Sequence, residues 1–298
     1  MVGRHFLSGF KEQVLGMHAT RALLIVLFGG LLHSAQAACP AGALGTSRTQ
    51  IIGNNGGLAI GLKTYPQTLA LADHEVVLTF DDGPLPGTTP AVLDALAREC
   101  VQATFFLIGR NSAASPALVR REVADGHTVG HHTFSHPSLT LRGLTDAAAR
   151  ADIDRGFAAD DRAAYGSAGT EPRVPFFRFP GFGDTKPLLD WLGGRNITPF
   201  GADLWASDWL EMTPDAELAL VMRRLQQERR GILLLHDSRP ATAAMLPDLL
   251  AALKKGGYKV VHLVPGGGVT PVRAAPAGWS SETGRTLSRM WPRILPAQ

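Results

Sequence analysis

From residue 76 onward, short apolar runs alternate seven times with amphipathic stretches, and this rhythm limits the possible folds more than any other feature. Runs at 76–80, 103–108, 128–130, 176–179, 199–201, 232–235 and 259–263 read as strands, being short, apolar and rich in β-branched or aromatic residues. The intervening stretches begin on Thr89-Pro90, Ser115-Pro116 and Thr213-Pro214, a hydroxyl followed by proline, which is a helix-start signal. Val92, Leu96 and Cys100 then recur at four-residue steps, as a helix with one core-facing side requires. Gly126 and Gly231 follow helical patterns and suit C-terminal caps. Seven β-then-α units in succession predict an α/β protein with a parallel sheet rather than a sandwich. Sites in such sheets lie just beyond the strand ends, and here every chemically unusual cluster follows a strand candidate.

The first cluster is Thr79-Phe80-Asp81-Asp82-Gly83, directly after Val76-Val77-Leu78. Adjacent carboxylates at the end of a buried strand repel each other and are costly to desolvate, so a cation or a proton transfer is the natural reason to keep them. On a continuing strand they would point to opposite faces, but Gly83-Pro84 demands a turn. One carboxylate could then bind a metal while the other faces a water; a solvated Asp-Gly turn is the plain alternative. The second cluster is His132-Thr133-Phe134-Ser135-His136, whose i, i+4 spacing would put two imidazoles on one side of a helical turn. His131 should point elsewhere, into supporting structure or to the surface. Asp with two His is a metal-ligand set, and the spare Asp is a candidate general base.

Three later clusters add to this. Arg178 lies within Phe176-Phe177-Arg178-Phe179-Pro180-Gly181, where a guanidinium among apolar residues calls for an anionic partner such as an ionised Asp, unless it faces outward from an edge strand. The stretch 203–209 combines Asp203 and Asp208 with Trp205 and Trp209, the carboxylates and aromatic walls that hold sugar rings, although one of the two indoles is expected in the core. The strand at 232–235 ends in His236, a candidate general acid whose pKa Asp208 would raise.

Taken together, these residues resemble the polysaccharide deacetylase family, carbohydrate esterase family 4, whose domain was first recognised in nodulation chitooligosaccharide deacetylase. Its five motifs are matched in order by Thr79 to Pro84, His132 to His136, Arg178 to Pro180, Asp203 to Trp209, and Leu234-Leu235-His236. The resemblance implies a distorted (β/α)7 barrel and a divalent metal, Zn2+ or Co2+, held by Asp82, His132 and His136. It also implies Asp81 as base, His236 as acid, Arg178 orienting Asp81, and Asp208 tuning His236. Pro180, Gly181, Phe182, Trp205, Trp209 and Leu234 would line the substrate groove. Many family members carry Tyr after Arg-x-Pro, where this chain has Gly181 and then Phe182. The implied activity is removal of N-acetyl groups from a GlcNAc-containing glycan, peptidoglycan or chitin-like. The alternatives are another acetylated glycan, a small non-sugar amide, or a catalytically silent carbohydrate-binding domain.

The N-terminus carries Arg4, Lys11 and Arg21, then eleven mainly apolar residues at 22–32, then Ala35-Gln36-Ala37. That is the pattern of an export signal cleaved near Ala37, with an uncleaved anchor as the alternative. Its removal lowers the formal net charge from +3 to +1, so the basic balance gives no support to nucleic-acid binding. A periplasmic or secreted monomer is expected, without stable membrane insertion once the signal is gone. The domain reading is signal peptide 1–37, N-terminal arm 38–75, deacetylase domain 76–265 and flexible tail 266–298. Cys39 and Cys100 are the only cysteines; in an oxidising compartment they can pair and tie the arm to the first helix, or remain a loose thiol and a small buried hydrophobe.

Overall fold

The strand-and-helix alternation is realised in the computed structural model, which describes residues 39–53, 57–138 and 140–290. The expected export signal lies outside the described residues. In chain order the strands are β1 (Thr46–Gly53), β2 (Gln67–Leu69), β3 (Glu75–Asp81), β4 (Thr104–Leu107), β5 (Thr128–His131), β6 (Phe176–Phe177), β7 (Thr198–Pro199), β8 (Leu204–Trp205), β9 (Gly231–His236), β10 (Lys259–Gly266) and β11 (Val272–Ala274). The helices are α1 (Thr89–Arg98), α2 (Gly109–Ala114), α3 (Pro116–Ala124), α4 (Asp146–Tyr165), α5 (Lys186–Gly194), α6 (Pro214–Glu228), α7 (Pro240–Lys255) and α8 (Glu282–Met290).

Seven parallel strands run in the order β8-β9-β3-β4-β5-β6-β7. This is the (β/α)7 arrangement with its distortion between β7 and β8, which form no ladder with each other among the described residues and are joined by residues 200–203. The seventh member is β8, which lies outside the strand runs read from the sequence; the run at 259–263 is instead β10, which pairs with β3 only at Lys259 and Val260 and otherwise runs along β1.

Side-chain parity splits the core in two. Val76, Leu78 and Phe80 of β3, Phe105 and Leu107 of β4, and Leu233 and Leu235 of β9 pack outward against α1 and α7, on Val92, Leu96, Leu246 and Leu249. The alternate residues Val77, Phe106, Phe176 and Ile232 form an inner cluster with Phe200, Val261 and Leu263. Successive side chains of a strand point to opposite faces, so the inner rows continue upward to Asp81, His132, Arg178, Leu234 and His236. The register that buries the apolar residues therefore also delivers the polar ones to one strand-end rim.

Several expectations are corrected. Thr89 does not cap α1; its hydroxyl donates to the Asp237 carboxylate and accepts from Leu85 N. Ser115 makes no side-chain cap either, whereas Thr213 accepts from Ala216 N at 3.3 Å. Arg229, in the left-handed region, caps α6 in place of Gly231, which opens β9. Cys100 lies past the end of α1, and its disulfide with Cys39 anchors the arm to that turn. The chain after Gly266, where no period was visible, forms β11 antiparallel to β2 and then α8. Among the described residues no helix is long and apolar enough to cross a membrane.

Candidate active site

Asp81 is the last residue of β3, and its carboxylate is 2% exposed at the head of the inner row. Asp82 would point away, but its φ of 76° turns it back, so both carboxylates face the same mouth. Gly83 lies tight against the Asp237 carboxylate, where a Cβ would meet an oxygen at 2.2 Å.

Parity also separates the neighbouring histidines. His132 follows Thr128 and Gly130 on the inner row, while His131 follows Val129 outward, where its Nδ1 lies 2.8 Å from Asp160 on α4. His136 reaches the site through a loop, not the expected helical turn. Thr133 and His136 are both left-handed, and the Thr133 hydroxyl accepts from His136 N at 3.0 Å. The backbone of α4 packs closely against this loop: a Cβ on Gly156 would lie 2.6 Å from the Thr133 carbonyl carbon.

The Asp82 Oδ1 is 3.6 Å from His132 Nε2 and 3.4 Å from His136 Nε2, and the three ligand atoms all lie within 4.8 Å of one another. This oxygen is buried and has no hydrogen-bond partner among the described residues. Two donors each ~2 Å from one ion at a tetrahedral angle lie ~3.3 Å apart, so these separations fit a shared cation. The His132 Nδ1–H donates to the Arg178 carbonyl at 2.7 Å, which leaves the Nε2 lone pair aimed at the site. Burial, followed by the neighbouring His136, lowers the His132 pKa to about 3 and keeps the ring neutral. The residues therefore fit a divalent metal.

Arg178 is fully buried and every part of its fork is engaged. Nη1 donates to Asp81 Oδ1 at 2.6 Å and to the Thr79 hydroxyl at 2.9 Å, Nη2 to the Gly201 carbonyl at 2.9 Å, and Nε to the Phe200 carbonyl at 3.3 Å. The guanidinium also lies over the Phe106 ring, 4.2 Å from its centroid. Burial raises the Asp81 pKa from its ordinary value, with Arg178 restraining the rise. Arg178 fixes Oδ1, while Oδ2 lies 3.9 Å from His132 Nε2.

Across the mouth, His236 Nδ1–H donates to Asp208 Oδ1 at 2.7 Å, and His236 N donates to Asp208 Oδ2 at the same distance. Burial disfavours the imidazolium, but Asp208, with smaller contributions from Asp82 and Asp81, outweighs it and raises the pKa to about 9. Thr242 and Glu217 stand behind Asp208, with the Thr242 hydroxyl 2.8 Å from Asp208 Oδ2 and 2.9 Å from Glu217 Oε1. This support leaves no local mark in the sequence, because it depends on α6 and α7 packing together.

These groups open into a cavity of about 370 Å3 that is also lined by Pro180, Gly181, Phe182, Trp205, Trp209 and Leu234. Both indoles reach it, so neither is plain core: their rings meet edge to face at 5.7 Å, and Phe182 faces Trp205 at 6.1 Å. Asp203 is not part of the cavity. It accepts from Leu62 N, the Thr68 hydroxyl and Ile232 N, and so fastens the arm to the strands. Thr140 and residues of α8 also line the cavity and were not foreseen.

An α/β array with this rim defines a known class of protein. The Polysaccharide deacetylase family model matches residues 70–189, and the chitooligosaccharide deacetylase of Sinorhizobium fredii is 33% identical over 78% of this chain and 91% of its own length. The chain belongs to the polysaccharide deacetylase family. The peptidoglycan-N-acetylglucosamine deacetylase of Listeria monocytogenes is 31% identical over 65% of this chain, which spans only 39% of that relative. Among solved structures, a Bdellovibrio bacteriovorus peptidoglycan deacetylase superposes with a TM-score of 0.64 at 32% identity, covering 73% of this chain and 58% of the other.

Proposed function

We propose that this protein is a divalent-metal-dependent hydrolase that removes N-acetyl groups from a GlcNAc-containing glycan, peptidoglycan or chitin-like, after export from the cytoplasm. The observation that carries this reading is the convergence of Asp82, His132 and His136 on one point, with Asp81 and His236 on its flanks. Mixed nitrogen and oxygen donors suit Zn2+ or Co2+. A cation bound there supplies Lewis acidity toward an acyl carbonyl and water. Asp81 is the base: buried, with Oδ1 fixed by Arg178, it accepts the proton of the attacking water on Oδ2. The backbone N–H of Gly181 donates to no described residue and lines the same cavity, so it is free to donate to the developing oxyanion. His236, protonated at neutral pH with Nδ1–H committed to Asp208, delivers the Nε2 proton to the departing amine. An amine leaves poorly without that proton, so a dedicated acid favours an amide substrate. The disulfide accords with an oxidising compartment.

Acetate release from N-acetylglucosamine oligomers, with and without chelator, tests the proposal. Asp81→Asn is expected to retain metal by elemental analysis yet lose turnover by about a hundredfold or more. His132→Ala is expected to lose the metal itself. Undiminished turnover in Asp81→Asn, or stoichiometric metal in His132→Ala, would remove those residues from these roles.

A further inference from the structure

We infer that α8 is a specificity wall, which admits the terminal acetamido sugar of a glycan and turns away one with sugars on both sides. This inference rests on the deacetylase reading above. Thr283, Thr286 and Leu287 of α8 line the cavity that holds Asp81, Asp82 and His236, facing a space otherwise bounded by Phe182 and Trp205. The helix is strongly two-sided, with Thr283 and Leu287 buried and Arg285 and Arg289 exposed, and polar anchoring fixes where its buried side is laid. That anchoring comes from the arm. Thr283 N donates to the Lys63 carbonyl at 2.9 Å, the Thr283 and Thr64 hydroxyls lie 3.1 Å apart, and Trp279 Nε1 donates to the Leu62 carbonyl at 2.7 Å. Lys63 pairs with Glu282 while its ammonium lies 5.4 Å from the centroid of Trp205, tying the helix to the aromatic side of the cavity.

The cavity of about 370 Å3 is at the low end for small-molecule sites and suits one sugar ring with its acetamide better than a run of sugars. A second and more open cavity, about 490 Å3, shares Trp209 and Arg239 with the first and contains no α8 residue. It is floored by exposed Trp209 and Leu210. The rest of the glycan leaves across that surface, while Leu287 and Thr286 occupy the space where a further sugar would extend.

Three proteins test this: the wild type, a variant ending at Trp279, and Thr286→Trp. Each is assayed on N-acetylglucosamine dimers through hexamers, with the position of the lost acetyl read by mass spectrometry. The wild type is expected to deacetylate terminal residues. Truncation is expected to raise hexamer kcat/KM relative to dimer about tenfold and to spread deacetylation to internal positions. Thr286→Trp, which leaves the anchors in place, is expected to raise KM for all lengths at least fivefold with kcat little changed. A hexamer-to-dimer ratio and product pattern unchanged by truncation, or an unaltered KM in Thr286→Trp, would overturn the wall while leaving the deacetylase reading intact. No acetate released by the wild type at any length would overturn both.

Discussion

Arg178→Met is the sharpest probe of how the base is held. The substitution keeps an apolar stem of similar length but removes the charge that faces Asp81 at 2.6 Å and the donors to Thr79, Phe200 and Gly201. Leaving one member of a buried ion pair behind costs about 3–5 kcal/mol. An independent bound agrees: Asp81 can escape by taking a proton, and holding a carboxyl neutral at pH 7 costs about 1.4 kcal/mol for each of some three pH units above its ordinary pKa, about 4 kcal/mol in all. The orphaned carbonyls add about 1 kcal/mol each. In the variant, the folded Asp81 binds a proton that the unfolded chain releases above pH ~4, so stability falls as pH rises from there to 7. In chelator, urea unfolding is therefore expected to show a deficit of about 4 kcal/mol or more at pH 7, shrinking by roughly 2–3 kcal/mol at pH 4.5. Adding Asp81→Asn should restore much of the loss at pH 7, since no charge then remains to be buried. A deficit equal at both pH values, or no rescue by Asp81→Asn, would refute the argument that Arg178 acts by neutralising a buried base.

Asp208→Asn removes the charge that raises the His236 pKa to about 9, so the alkaline limb of the pH–rate profile, where the acid loses its proton, is expected to move down by about two units. Gly156→Ala would drive a methyl into the Thr133–Phe134 backbone; a loss of about 1–3 kcal/mol in thermal unfolding and weaker metal binding in titration are expected, because the same loop carries His132 and His136. His127 is buried with its Nδ1 accepting from Ala103 N, and burial lowers its pKa to about 3. Its unfolded form takes up a proton below pH ~6.5 while the folded form does not, so stability is expected to fall by about 1.4 kcal/mol per unit between pH 6 and 4, and His127→Gln should flatten that slope.

Local chemistry made much of this site legible before any fold was known. The acid pair beside a Gly-Pro turn, the spaced imidazoles and a lone guanidinium among phenylalanines are each anomalies whose cost implies a use. The helix-start signals located all three helices, but the capping bond itself forms only at Thr213; Thr89 is drawn instead to buried Asp237, and Ser115 makes no side-chain cap. The choice between His131 and His132 depended on strand parity, which has a period of two and reverses with a one-residue shift in register. No run of sequence shows which register the packing of Phe106 and Phe176 will select.

By itself the sequence determined the alternation of strands and helices, the inventory of ligands and acids, and the resemblance to a deacetylase, because these follow from residue type and short-range spacing. Only the tertiary structure decided that Asp82 turns inward, that Thr242 and Glu217 stand behind Asp208, and that a polar nine-residue helix lines the cavity. The physical reason is range: Thr283 meets Thr64 across 219 positions of chain, and a contact of that separation leaves no periodic trace in either partner.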